Sequence, residues 1–233
     1  MKRSNDKYII ATIKSWNIEE AGKFVERNPK HKIKLITARK ELTHNKVSKF
    51  NPRCIFFPHW SWKIPKEIYE NYECIVFHMT DLPFGRGGSP LQNLIQRGIY
   101  KTKISAIRVV NEIDVGPIYL KRDLNLRGSA AQIYKRASKD IFENMIPYII
   151  KEHPVPIPQK GKAVIFNRRT PEQSNIANLG SKRKVYDYIR MLDAEGYPLA
   201  SVETSELKID FFNAKLEEQY VVANVRIKVK KEL

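Results

Sequence analysis

The sequence predicts an α/β protein: an open, mostly parallel twisted sheet with helices on both faces, followed by a small C-terminal β-rich appendage. Three observations predict it. Short apolar runs alternate with helical stretches through the first half of the 233-residue chain, the rhythm of parallel crossover units. A proline-rich stretch, HPVPIPQKGK, then interrupts the pattern as an extended connector. Beyond it, β-like runs outweigh helical ones. This places a main domain at residues 1–153 and a connector with a small α+β region at 154–233.

The elements follow in order. YIIATI, from Tyr8 to Ile13, is apolar on both faces and reads as a fully buried strand. The turn Lys14-Ser15-Trp16-Asn17 leads into a helix to about Arg27, with Asn17 as N-cap and Glu20 completing a capping box. KIKLIT is the second strand, RCIFFP the third, a short helix begins near Pro65, and CIVFHM is the fourth strand. The glycine-rich loop TDLPFGRGGSP comes next, then a helix from Pro90 that Gly98 terminates as the C′ residue. TKISAIRVV and GPIYLKRDLNL, joined by the turn from Asn111 to Val115, read as an antiparallel hairpin at the sheet edge. A long helix runs from Ser129 to about Ile150; Ser129 and Gln132 form its capping box, and Ile133, Ala137, Ile141, Met145 and Ile149 recur every four residues on one face. The last region holds a short helix around VYDYIRMLDA and the β-like runs ASVETSELKIDFF and QYVVANVRIKV.

Composition narrows the class. A hydrophobic content of 42% is enough for a buried core. Cys54 and Cys74 sit inside apolar runs rather than at metal-ligand spacing, so buried thiols are expected and no metal site. The apolar run near the N-terminus is too short for a signal-peptide core, and no stretch approaches the roughly 20 residues of a membrane span, so a cytoplasmic location is expected. The net charge of +17, from 42 Lys+Arg against 25 Asp+Glu, favours an anionic partner without choosing one. Basic residues spread along the chain, with small clusters at Lys182-Arg183-Lys184 and in the tail RIKVKK. Most of them read as solvated surface.

Two residues stand where open α/β sheets place reacting groups. His78 falls at the carboxyl end of the fourth strand, directly before the glycine-rich loop. Asp114 sits on a tight turn before Gly116-Pro117. Taken singly, each has an ordinary alternative: a buried strand-end histidine, and an aspartate that bonds its own turn.

Taken together, FHMTDLPFGRGGSPLQNLI followed by EIDVGPIY resembles the HxSLLPxxxGxxPxQ and LDxGxI patterns of the 10-formyltetrahydrofolate-dependent formyltransferases, whose catalytic domain is Rossmann-like. The likeness runs from about Arg53 to Ile150, and more loosely through FNRRTPEQSNI and DYIRMLDAEGYP, segments similar to the amino-sugar N-formyltransferases. It implies an enzyme that uses 10-formyltetrahydrofolate as formyl donor. A cationic His78 would stabilise the oxyanion formed as an amine attacks the formyl carbonyl, and Asp114 would keep His78 charged and hold a proton-relaying water. Phe57, Pro58, Trp60 and Trp62 would enclose the folate pterin, with main-chain groups at Glu112 and Ile113 reading its edge. Thr80 takes a hydroxyl position, and Gly87 or Gly88 supplies the loop glycine on the substrate side. Arg86 has two readings, a contact to a substrate phosphate or a solvated loop residue. Val76 departs from the pattern, which carries an asparagine there as an oxyanion donor; Asn93, Asn111, a loop backbone amide or a water are the replacements to weigh. An amino sugar, nucleotide-linked or free, is the expected acceptor, and a homodimer is expected from short-tailed relatives. Two alternatives stand beside it: methionyl-tRNA formylation, and a silent folate- or sugar-nucleotide-binding homologue.

Overall fold

The computed structural model describes residues 6–230; Lys2, Arg3 and Lys231 of the basic ends lie outside the described residues. The chain divides into two compact units, one of Met1–Arg86, Lys103–Leu124 and Lys135–Val164, the other of Gly87–Thr102, Asn125–Tyr134 and Ile165–Leu233. Both units are discontinuous in sequence.

In chain order the strands are β1 (Lys7–Ala11), β2 (Lys32–Ile36), β3 (Cys54–Phe57), β4 (Glu73–His78), β5 (Phe84–Gly87), β6 (Lys101–Arg108), β7 (Ile118–Asn125), β8 (Val164–Phe166), β9 (Ala200–Glu203), β10 (Leu207–Leu216) and β11 (Val221–Val229). The helices are α1 (Ser15–Arg27), α2 (His44–Phe50), α3 (Lys66–Tyr69), α4 (Pro90–Gln96), α5 (Ala130–Asp140), α6 (Ile146–Glu152) and α7 (Lys182–Leu192).

The six-stranded sheet has the order β2-β1-β3-β4-β6-β7, with β2, β1, β3 and β4 parallel and β6 antiparallel to β4. Side chains alternate across a strand, so Ile9 and Ala11 of β1 join Ile55 and Phe57 of β3 in one apolar layer with Val47, Ile68 and Cys74, while Tyr8, Ile10, Phe56 and Phe77 point the other way. Ile9, Ile10, Ile55 and Phe56 are all fully buried, which requires cover on both faces of the sheet. Both cysteines are buried and unpaired, and burial pushes the Cys74 thiol up to about 12.

Several local expectations are corrected. Helix α1 begins at Ser15 after Lys14, and Asn17 lies inside it on the buried face, so the Asn17–Glu20 capping box does not form. Helix α2 was not foreseen; Thr43 caps it by accepting from Lys46 N, and Asn51 ends it in the left-handed region at φ 51°. The glycine-rich stretch is not all loop, because Phe84–Gly87 forms a short strand beside β8. The Ser129–Gln132 capping box forms as read, and Gly98 has the expected positive φ of 72°. The long helix it opens, however, is interrupted by a π-helical segment at Ile141–Met145.

The second unit carries the antiparallel sheet β11-β10-β9, which packs with α7, and α7 in turn packs with α4. Its buried polar centre is Arg190, 3% exposed, which bonds Asp187 at 2.7 Å and the carbonyls of Leu126 and Gly128, while Tyr100 donates to the other Asp187 oxygen. Burial of this ion pair is tolerable because each charge has its partners.

Candidate active site

His78 ends β4 and pairs in register with Ser105 of β6, so its side chain emerges where the parallel strands finish. Its Nδ1 faces Asp114 Oδ2 at 3.4 Å, and both side chains are largely buried. Its Nε2 donates to the Gly85 carbonyl at 2.7 Å. Both ring nitrogens therefore face oxygen atoms, Nε2 the Gly85 carbonyl and Nδ1 the Asp114 carboxyl group. The Gly85 carbonyl also receives the Thr80 hydroxyl at 3.3 Å; its inward aim requires the left-handed backbone of Gly85, φ 80°.

Asp114 is itself in the left-handed region, φ 56°, on the turn between β6 and β7. That turn is close-packed: a Cβ on Gly116 would lie 1.7 Å from the Arg108 carbonyl oxygen, and Arg108 N bonds Pro117 O at 2.9 Å. Glycine at 116 is required by that approach.

The other expected site residues separate into groups. Thr80 is fully buried, with its hydroxyl spent on Gly85 and its carbonyl on Ser105 Oγ, so it supports the loop instead of facing a substrate. Phe57 is 1% exposed and belongs to the apolar layer, and Pro58 is buried beside it. Trp60 packs edge-on against Trp62 at 5.0 Å, its Nε1 buried without a hydrogen-bond partner, while Trp62 is 36% exposed. Glu112 is exposed and Ile113 is 74% exposed on the turn before Asp114. Arg86 is partly buried, and its Nε and Nη2 donate to Gln159 Oε1 at 3.1 and 2.8 Å. Gly87 and Gly88 belong to the second unit, where a Cβ would come within 2.5 Å of Phe166 O and 2.6 Å of Arg168 respectively; their own chain, rather than a ligand, demands glycine.

Val76 is partly buried within β4 and packs against the apolar layer. Of the two sequence candidates for the missing amide, Asn93 has its NH2 committed, whereas Asn111 engages only its oxygen. The Asn93 amide donates to the carbonyls of Gly88, Ser89 and Asn167, and Asn111 Oδ1 accepts from the Tyr69 hydroxyl at 3.2 Å.

A methionyl-tRNA formyltransferase from Clostridium thermocellum has a solved structure that superposes with a TM-score of 0.94 at 55% identity, covering 96% of this chain and 99% of that one. The chain belongs to the formyltransferase family. A family described as the methionyl-tRNA formyltransferase C-terminal domain matches residues 171–228 of this formyltransferase. The methionyl-tRNA formyltransferase of Bacillus cytotoxicus is 30% identical over 165 residues, 66% of this chain and 52% of that protein, so the chain spans about half the length of the curated relatives it matches. A sugar N-formyltransferase from Shewanella superposes with a TM-score of 0.68 at 14% identity, covering 85% of this chain and 93% of that one, a likeness of fold alone. Among the described residues no helix is long and apolar enough to cross a membrane.

Proposed function

We propose that this formyltransferase moves the formyl group of 10-formyltetrahydrofolate to the amino group of methionyl-tRNA. The observation that carries the reading is the 55% identity, over nearly the full length of both chains, to a protein named methionyl-tRNA formyltransferase. The amino-sugar acceptor gives way, because the sugar enzymes share 14% identity. Charge supports the change: residues 1–50 hold 13 Lys+Arg against 5 Asp+Glu, a local excess suited to a polyanion.

In this mechanism the amine nitrogen bonds to the formyl carbon, the bond from that carbon to the folate nitrogen breaks, and the proton lost by the amine passes to the folate nitrogen. His78 supplies positive charge to the carbonyl oxygen as negative charge grows on it. The Gly85 bond fixes the ring, while the longer 3.4 Å approach to Asp114 leaves Nδ1–H to be shared with that oxygen. Asp114 balances the imidazolium and handles the moving proton through a water. Trp60 and Trp62 offer aromatic walls for the pterin.

The test is formyl transfer to charged methionyl-tRNA, compared with a panel of nucleotide-linked amino sugars. Turnover with the tRNA is expected, and Asp114→Asn should lower kcat about 10²–10⁴-fold. Formylation of an amino sugar but not of the tRNA would overturn the acceptor, and folate binding without turnover on any amine would overturn the reaction.

A further inference from the structure

The connector after α6 supplies a residue to the site that neither the motif nor the mechanism uses. Ile157 bridges to Ile118 at the start of β7 through bonds of 2.8 and 2.9 Å, and two residues later Gln159 reaches the Asp114 turn. Its Nε2 donates to the carbonyls of Asp114 and Gly116, both at 2.8 Å, while its Oε1 accepts both bonds from Arg86. All four hydrogen-bonding positions of the amide are filled. Only one orientation of the amide works, since exchanging its ends would set an oxygen against two carbonyls and an NH2 against a guanidinium.

The bonds close a ring. His78 holds the Gly85 carbonyl, the next residue, Arg86, holds Gln159, Gln159 holds the backbone of Asp114, and the Asp114 carboxylate faces His78 again. On the far side the turn is braced by Arg108, whose amide bonds Pro117 O. Without the Gln159 amide, the carbonyls of Asp114 and Gly116 lose their shared donor and the left-handed Asp114 loses the contact that holds it there.

We propose that Gln159 is a positioning residue that sets the approach of Asp114 to His78, with Arg86 fixing Gln159 in turn. The kinetic consequence rests on the formyl-transfer reading; the geometric one does not. The experiment therefore has two arms. In the first, the ring ¹⁵N and ¹H resonances of His78 are followed by NMR. Gln159→Ala should move them toward their Asp114→Asn positions while those of His31, His44, His59 and His153 stay in place. Unmoved His78 resonances overturn the proposal whether or not the protein turns over.

In the second arm, Gln159→Ala should lower kcat roughly 10- to 100-fold with both KM values within about twofold of wild type. Gln159→Glu keeps the acceptor for Arg86 but offers the two carbonyls no donor, and should behave like the alanine variant. In an Asp114→Asn background Gln159→Ala should cost nothing more, because the group it positions is already disabled. Retained kcat, or losses that multiply in the double variant, would overturn the proposal. A wild-type protein silent toward methionyl-tRNA would count against the functional reading alone, with the NMR arm still deciding the role of Gln159.

Discussion

Asp114 and His59 are both held at positive φ, 56° and 55°, in a region that asparagine tolerates better than most residues. Asparagine is thus the replacement that isolates side-chain chemistry at either position from backbone strain. Burial, and then the charge of Lys14, push the His59 imidazole down to about 4. The unfolded imidazole titrates near 6.5, so between the two values the unfolded chain binds a proton that the folded chain refuses. The neutral buried ring therefore stabilises fully above pH 6.5, and that stability is lost as the pH falls toward 4, by a few kcal/mol, on the order of 3. His59→Asn should flatten the fall of Tm between pH 7 and pH 4, a comparison that thermal melts can make. At this scale the placement of His78 at a strand end and of Asp114 on a turn was legible in the sequence. Phe57, Thr80 and Arg86 were not, because whether a side chain faces a pocket, a backbone carbonyl or another side chain depends on chain that is distant in sequence.

Among the elements, the long helix repays attention to its period. Ile133, Ala137, Ile141, Met145 and Ile149 recur every four residues and are all at most 5% exposed. An α-helix turns 100° per residue, so four residues overshoot a full turn by about 40°, and four such steps drift the stripe by about 160°. A wider π turn removes part of that drift, and one lies in the middle of the stripe, at Ile141–Met145. The repeat of four is visible in the sequence, and it corresponds to the underwound segment. Helix α2 escaped because HNKVSKF has one buried residue, Val47, and so no periodic face. At the turn between β6 and β7 the prediction is steric. Gly116→Ala sets a Cβ against the Arg108 backbone oxygen, which cannot swing aside like a side chain, and should cost about 1–3 kcal/mol. Urea midpoints would measure it, and kcat should fall further than the stability loss explains, because Asp114 rides on the same turn.

Over the whole molecule, positive charge is uneven. Residues 165–233 hold 12 Lys+Arg against 10 Asp+Glu, close to balance, so the excess in residues 1–50 is not matched in the C-terminal stretch. Strands β2, β1, β3 and β4 run parallel, so Arg39 and Lys40, which follow β2, leave the sheet at the end where His78 ends β4, whereas Lys30 and Lys32 enter it at the other. If this surface receives tRNA, affinity should fall steeply with salt, with a log–log slope of about −0.7 to −0.9 per neutralised phosphate. Replacing Arg39 and Lys40 with glutamate should weaken tRNA binding in a filter assay, with KM for the folate unchanged, and the same exchange at Lys30 and Lys32 should matter much less. Equal losses from the two pairs would argue for diffuse attraction.

The connector bears on how the protein can be dissected. The α/β core was legible in the crossover rhythm, but a proline-rich stretch reads as a spacer because it shows no periodicity, and its partners cannot be seen in it. A fragment trimmed at His153, where the sequence invites the cut, would retain His78 and Asp114 yet discard the Ile157 bridge, Gln159, and the bond from Val164 to the Pro83 carbonyl. It would contain both side chains and lack the bonds that hold the Asp114 turn. A shortened version of the protein that keeps these contacts has to run through β8, whose first residue is Val164.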